Sequence, residues 1–230
     1  IVPNVKGGST IRPEKGRNRL MSLAELPKAQ ELLNNGTLSG EEYQYLSQFP
    51  QYFGDQPMTN GPVYVGVVVF ALFLIGCFVI KGALKWALLA ATLLSLLMGW
   101  GHNAMWFTDM MIDHFPLYNK FRTVASALVI AELTIPLLAA LALNKILTEK
   151  DFFNKHNRII IGCFAFTAIA CLVIYIAPGM FGGFSIQEKE QYINTGVAVQ
   201  VPELFNAIET IRLDMVKADA MRSLIFVIMG

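Results

Sequence analysis

The stretch RIIIGCFAFTAIACLVIYIAP, residues 158 to 178, decides the fold. Its one charge stands at the first position, and no polar face recurs at helical spacing, so a helix built from it is apolar all round. A helix rises ~1.5 Å per residue, and roughly 20 residues cross the ~30 Å hydrocarbon core of a bilayer. This segment is long enough to do so. Three more segments read the same way: about 62–80 (PVYVGVVVFALFLIGCFVI), 85–101 (KWALLAATLLSLLMGWG) and 123–143 (TVASALVIAELTIPLLAALAL). A fresh apolar run begins near Met221 and reaches Gly230.

Composition agrees with a lipid environment. Of 230 residues, 54% are hydrophobic and 15% charged, and the mean hydropathy is +0.49. A net charge of +1 gives no basic field for a nucleic acid to follow, so that class of partner is set aside. Cys77, Cys163 and Cys171 all lie in apolar runs, where a thiol acts as a small hydrophobe. The expected fold class is all-α: a polytopic transmembrane helical bundle with short extracytoplasmic amphipathic helices. Because the chain starts at Ile1 and ends within an apolar run, it reads as an internal part of a longer polytopic protein, whose remainder would pack against it.

Basic residues in short connectors orient the spans. Lys81 and Lys85, then Lys145, Lys150, Lys155 and Arg158, mark the 81–85 and 144–158 connectors as cytoplasmic. By alternation, residues 1–61, the loop 101–122 and the segment 179–220 lie outside, ahead of a fifth span starting at 221. In 1–61, Ser22 to Glu25 and Ser39 to Glu42 each have the capping-box pattern, which predicts two short helices. The loop GHNAMWFTDMMIDHFP (101–116) predicts an interfacial helix, with Met105, Trp106, Phe107 and Met110 opposite Thr108, Asp109, Asp113 and His114. Pro202 to Arg222 predicts a second amphipathic helix through Leu204, Ile208, Ile211 and Met215.

The residues with chemistry to offer are few. Lys120 and Arg122, beside Tyr118 and Asn119, stand at the outer mouth of the third span, where the positive-inside tendency does not place cations. They either clamp an anionic headgroup or snorkel to lipid phosphates as simple anchors. Glu132, ten residues further on, is expected near the midplane; it faces either a packed neighbour or a cavity. Along the helix it shares a face with Ala125, Ser126, Val129, Pro136 and Ala139. His102, Asp109, Asp113 and His114 are of ligand type for a divalent cation but form no compact metal motif, so any cofactor stays open. Lys6, Asp55 and Gln56 lie in Gly- and Pro-rich turns that also account for them. No nucleophile motif or phosphate loop is present.

The strings VPNVKGGS near the start, QYFGDQPMTNGPVYVGV (51–67) and the segment 93–143 together resemble the YfhO-type bacterial membrane proteins in their Bacteroidetes form, most specifically at FPLYNKFRTV (115–124). That family is placed with the GT-C-type glycosyltransferases. The resemblance implies a multi-pass protein of the bacterial cytoplasmic membrane that takes sugar from a polyprenyl-phosphate carrier on the extracytoplasmic side. It carries Tyr118, Asn119, Lys120 and Arg122 over as the phosphate-binding group, and more weakly Lys6, Asp55, Gln56 and His102. The catalytic acid usual in the first external loop of such enzymes maps onto no residue of this chain. Two other readings stand beside it: a transporter or flippase with Glu132 as relay, and a noncatalytic envelope-assembly protein that docks partners on its external helices.

Overall fold

The computed structural model describes residues 2, 6, 11–14, 17–54, 63–115, 120, 124–181, 183–185, 188–190, 194 and 202–230. They form an all-α architecture of eight principal helices, together with one small antiparallel ribbon. The chain divides into two compact units: residues 63–168 with 229–230, and residues 2–62 with 169–228.

The first unit holds the apolar helices: α3 (Val67–Val79), α4 (Ala83–Trp100), α5 (Met105–His114), α6 (Leu128–Thr148) and the first part of α7 (Phe152–Ile176). Three of these, α4, α6 and α7, are long and apolar enough to cross a membrane. The expected first span is shorter than its apolar run, since α3 has only 13 helical residues. Gly66, at φ 90°, takes a backbone conformation that other residues rarely adopt, and the helix begins immediately after it. The third span starts late for a similar local reason: residues 124–127 form a 3₁₀ turn ahead of α6.

Packing in this unit follows the rules of lipid-embedded helices, in which small residues permit close approach and hydroxyls bridge helices. A Cβ on Gly76 would lie 2.9 Å from the Leu138 carbonyl oxygen, so only glycine lets α3 come this near α6. Between α4 and α6, the buried hydroxyls of Thr92 and Thr134 sit 2.7 Å apart. Ser95 donates to the Ala127 carbonyl at 2.7 Å and accepts from the Ala131 amide at 3.1 Å. The α3 C-terminus is closed by its neighbours. Lys85 of α4 donates to the Cys77 carbonyl at 3.3 Å, and Lys145 of α6 donates to Val79 at 3.1 Å. Those carbonyls belong to the last turn, which has no helical partner for them, and a cation there also suits the helix dipole. Two of the lysines used to orient the spans in the sequence, Lys85 and Lys145, are therefore also structural caps.

The second unit joins segments far apart in sequence. The predicted pair of short helices is present as α1 (Pro27–Asn34) and α2 (Gly40–Leu46). Ser39 forms a full capping box with Glu42: it accepts from the Glu42 amide at 3.2 Å, while the Glu42 carboxylate accepts from the Ser39 amide at 2.8 Å. The matching pattern at Ser22 does not cap. Ser22 is buried, bridges to Pro50, and opens only a 3₁₀ turn, Leu23–Glu25; α1 starts instead with Pro27 in its first turn. A ribbon of β1 (Ile11–Glu14) and β2 (Arg17–Leu20), with Ile11 opposite Leu20, was not anticipated. The predicted amphipathic helix and the start of the fifth apolar run are one continuous element, α8 (Pro202–Met229). Its Leu204, Ala207, Ile208 and Ile211 close a core with Leu23, Ala29, Leu38 and Leu46.

Substituting Gly76→Leu forces the Leu138 backbone away and is expected to destabilise the α3–α6 contact by about 1–3 kcal/mol. Unfolding of the purified protein in mixed micelles measures it, with Gly162→Leu, at a glycine whose Cβ would meet nothing within 4 Å, as the reference.

A candidate charged cleft on α8

The side chain that organises the second unit is Arg212, which is fully buried near the middle of α8. A buried guanidinium is costly unless it is paired and hydrogen-bonded; here the two terminal nitrogens carry the bonds, while the buried Nε has no partner among the described residues. Both terminal nitrogens fork onto Glu188, each at 3.0 Å. One also donates to the Gly183 carbonyl at 2.9 Å and the other to the Pro50 carbonyl at 3.2 Å. The rings of Phe53 and Phe184 lie 5.2 Å and 5.3 Å from its centre. Glu188 is held in place by its own capping box: it accepts from the Ser185 amide at 3.2 Å, and its amide donates to the Ser185 hydroxyl at 3.1 Å. Gly183 is obligatory for the approach, since a Cβ there would come 2.7 Å from Cγ of Glu209.

A turn further along α8 a cleft of about 290 Å³ opens between this helix and the start of α1. Lys28, Gln51, Asp214, Asp219 and Arg222 supply its polar lining, and Leu26 and Ile211 part of its apolar floor. Asp219 is 4% exposed and holds Arg222 at 3.0 Å. Lys28 pairs with Glu31 at 2.7 Å. That hydrogen bond, opposed by burial and aided by the charges of Glu31 and Asp214, keeps the Lys28 ammonium above the ordinary lysine range. Asp214 is exposed and makes no hydrogen bond or ion pair among the described residues. Gln51 is fixed by donating to the Ser22 carbonyl at 3.1 Å. The cleft thus combines two cations, one carboxylate committed to a cation and one left open. Beyond it α8 continues into Leu224, Ile225, Phe226, Ile228 and Met229, an apolar tail of mostly exposed side chains.

Of the residues singled out in the sequence, Tyr118, Asn119, Arg122, Asp55 and Gln56 lie outside the described residues, as does the side chain of His102. Lys120 is exposed. The Lys6 carbonyl accepts from the Phe53 amide at 2.9 Å, which ties the start of the chain to the ring stacked on Arg212. Glu132 lies off the face of α6 that packs among the described residues. It stands in the second turn of α6 and is exposed, whereas the packed face is Ala131, Thr134, Ile135, Leu138, Ala139 and Ala142. Glu132 and Ala139 stay seven residues apart within α6, but only Ala139 is buried, and the close approach of Gly76 marks the Leu138 side as the packed one. In α5, Phe107 is buried but Trp106, Met105 and Met110 are exposed together with Asp109 and Asp113. His114 contacts the Met110 carbonyl through Nδ1 at 3.0 Å. Among the described residues no three His, Cys, Asp or Glu side chains come together as a metal site.

Sequence reasoning missed Arg212, Glu188, Asp214 and Asp219, having read them as the wet face of an amphipathic helix and a connecting segment. One signal was present: SIQE at 185–188 carries the capping-box pattern that positions Glu188. Comparison of the chain with protein-family models, with curated proteins and with solved structures gives no match.

Glu188→Gln leaves a buried cation without its counter-charge and is expected to destabilise the second unit by about 3 kcal/mol. Arg212→Met in the same background should recover part of that loss, because the unpaired charge is removed. Denaturant unfolding of the single and double variants measures both; an additive double variant refutes the coupling.

Proposed function

We propose that the chain is part of a multi-pass protein of the bacterial cytoplasmic membrane that transfers sugar from a polyprenyl-phosphate carrier on the extracytoplasmic side. The observation that supports this best is the cleft on α8, where cations and an open carboxylate meet on a helix that runs into an apolar tail. A sugar-phosphate leaving group needs positive charge aimed at the oxygens that gain charge, a role open to Arg222 and Lys28. The acceptor hydroxyl needs a base within reach. Asp214 is free to serve, while Asp219 orients Arg222. Lys120 and Arg122 remain the candidates that the family resemblance favours for the same phosphate.

Topology adds support. Residues 2–62 and 202–228 share one unit, so in this reading they lie on one side of the membrane and an even number of crossings separates them. The helices α4, α6 and α7 supply three. In this reading the fourth is the apolar helix α3, which is shorter, at 13 residues. The transporter reading gains no support at Glu132, which lies off the face of α6 that packs among the described residues. The docking reading loses its main surface, because the apolar stripe of α8 is already covered by the 3₁₀ turn, α1 and α2.

Transfer of radiolabelled sugar from polyprenyl-phosphate donor, measured with the protein in membranes, tests the assignment. Asp214→Asn is expected to cut turnover by about 10²-fold or more with donor binding retained, whereas Arg222→Gln and Lys28→Gln should weaken donor binding. Unchanged transfer in all three variants, with loss only in Lys120→Gln or Arg122→Gln, would move the site to the mouth of the third span. Unchanged transfer in all five overturns the proposal.

A further inference from the structure

A second cavity lies in the first unit. Between α3 and α7 a groove of about 440 Å³ is lined by Leu74 and Phe78 on one helix and by Arg158, Ile159, Gly162 and Phe166 on the other. Its size is in the range of sites that take small ligands. Arg158, Gly162 and Phe166 recur at i, i+4 and i+8, so they form one stripe ~12 Å long on α7. The middle of that stripe is hollow because position 162 has no side chain, and a Cβ there would meet nothing within 4 Å. The walls are otherwise carbon, apart from the Cys163 thiol. At one end stands an exposed guanidinium that makes no hydrogen bond or ion pair among the described residues.

That end is also the basic end of the unit. The core that joins Val79, Ala142 and Phe152 places the α3 C-terminus beside the α7 N-terminus, and Lys81, Lys85, Lys145 and Lys155 come from the same connectors. Two of these lysines are committed to α3 carbonyls, and Lys155 pairs with Glu149. Arg158 makes no hydrogen bond or ion pair among the described residues. An apolar trough between the apolar helix α3 and α7, which is long enough to cross a membrane, closed at one end by an available fork of N–H donors, has the polarity of an amphiphile with an anionic head.

We infer that the groove between α3 and α7 binds an anionic phospholipid, its phosphate on Arg158 and one acyl chain along Phe78, Leu74, Gly162 and Phe166. The site is separate from the cleft on α8 and does not depend on the glycosyl-transfer reading. The guanidinium sets the choice of headgroup, and the gap at Gly162 admits the chain.

The full chain, reconstituted in bilayer discs of equal parts phosphatidylglycerol and phosphatidylcholine and then released into detergent, is read by native mass spectrometry for the lipid it retains. The wild type should hold phosphatidylglycerol in about fivefold preference, the value of one basic contact at a membrane surface. Arg158→Gln should erase the preference while lipid is still retained. Gly162→Leu should lose both lipids, and because that side chain meets open space its fold, followed by circular dichroism, should be intact. Lys155→Gln, a neighbouring cation already paired, should leave the preference unchanged. Equal retention of the two lipids by the wild type overturns the inference, as does an unchanged preference in Arg158→Gln or Gly162→Leu. So does an effect of Lys155→Gln as large as that of Arg158→Gln, or displacement of the preference by millimolar inorganic phosphate.

Discussion

A backbone carbonyl that no helix or strand can satisfy must find a donor elsewhere, and in both units of this protein a side chain from another segment supplies it. At the α3 C-terminus the donors are Lys85 and Lys145. In the other unit Arg212 serves Gly183 and Pro50, and Tyr43 serves Ala24 at 2.8 Å. Within hydrocarbon the alternative is an unsatisfied group that costs several kcal/mol, so these contacts determine which segments can be neighbours. The position of α3 is set in this way, by two lysines at its end and one glycine at its side.

Arg212 shows the same constraint joined to a charge. Its fork holds Glu188, its carbonyl bonds hold residues 50 and 183, and its flat faces lie between Phe53 and Phe184. Three stretches that are distant in sequence therefore meet at one side chain. The cleft on α8 inherits its shape from this arrangement. Gln51 and Ile211 adjoin residues of the Arg212 cluster, and Asp214, Asp219 and Arg222 follow on the same helix. Charge committed at Arg212 is structural; charge exposed a turn later is available for a ligand.

The apolar spans were legible because their signal is local: lipid demands a run of apolar residues with no polar face, and α4, α6 and α7 satisfy it within ordinary boundary shifts. The capping box at Ser39 was legible for the same reason, since all its partners lie within four residues. The identical pattern at Ser22 misled because Pro50, 28 positions away, claims that stretch of backbone for a bridge. Which face of α6 packs was not legible, because the close approach at Gly76 that selects it comes from another helix. The α8 cleft was invisible for a different reason. Its lining comes from residues 26–28, 51 and 211–222, and no spacing rule relates positions so far apart.

What the sequence determined by itself is the class of the protein: an all-α chain with helices long and apolar enough to cross a membrane, carrying two short helices before the first apolar run and a long amphipathic one after the fourth. Those features depend on periodicity and on the length of apolar runs, which neighbours in space cannot alter. Tertiary structure alone decided that residues 2–62 and 202–228 form one unit, which face of α6 is packed, and which charges are buried. Each of these turns on where a side chain finds its partner across the fold. A lysine, an arginine or an aspartate has the same local signature whether it caps a helix, joins a buried pair or lines a cleft.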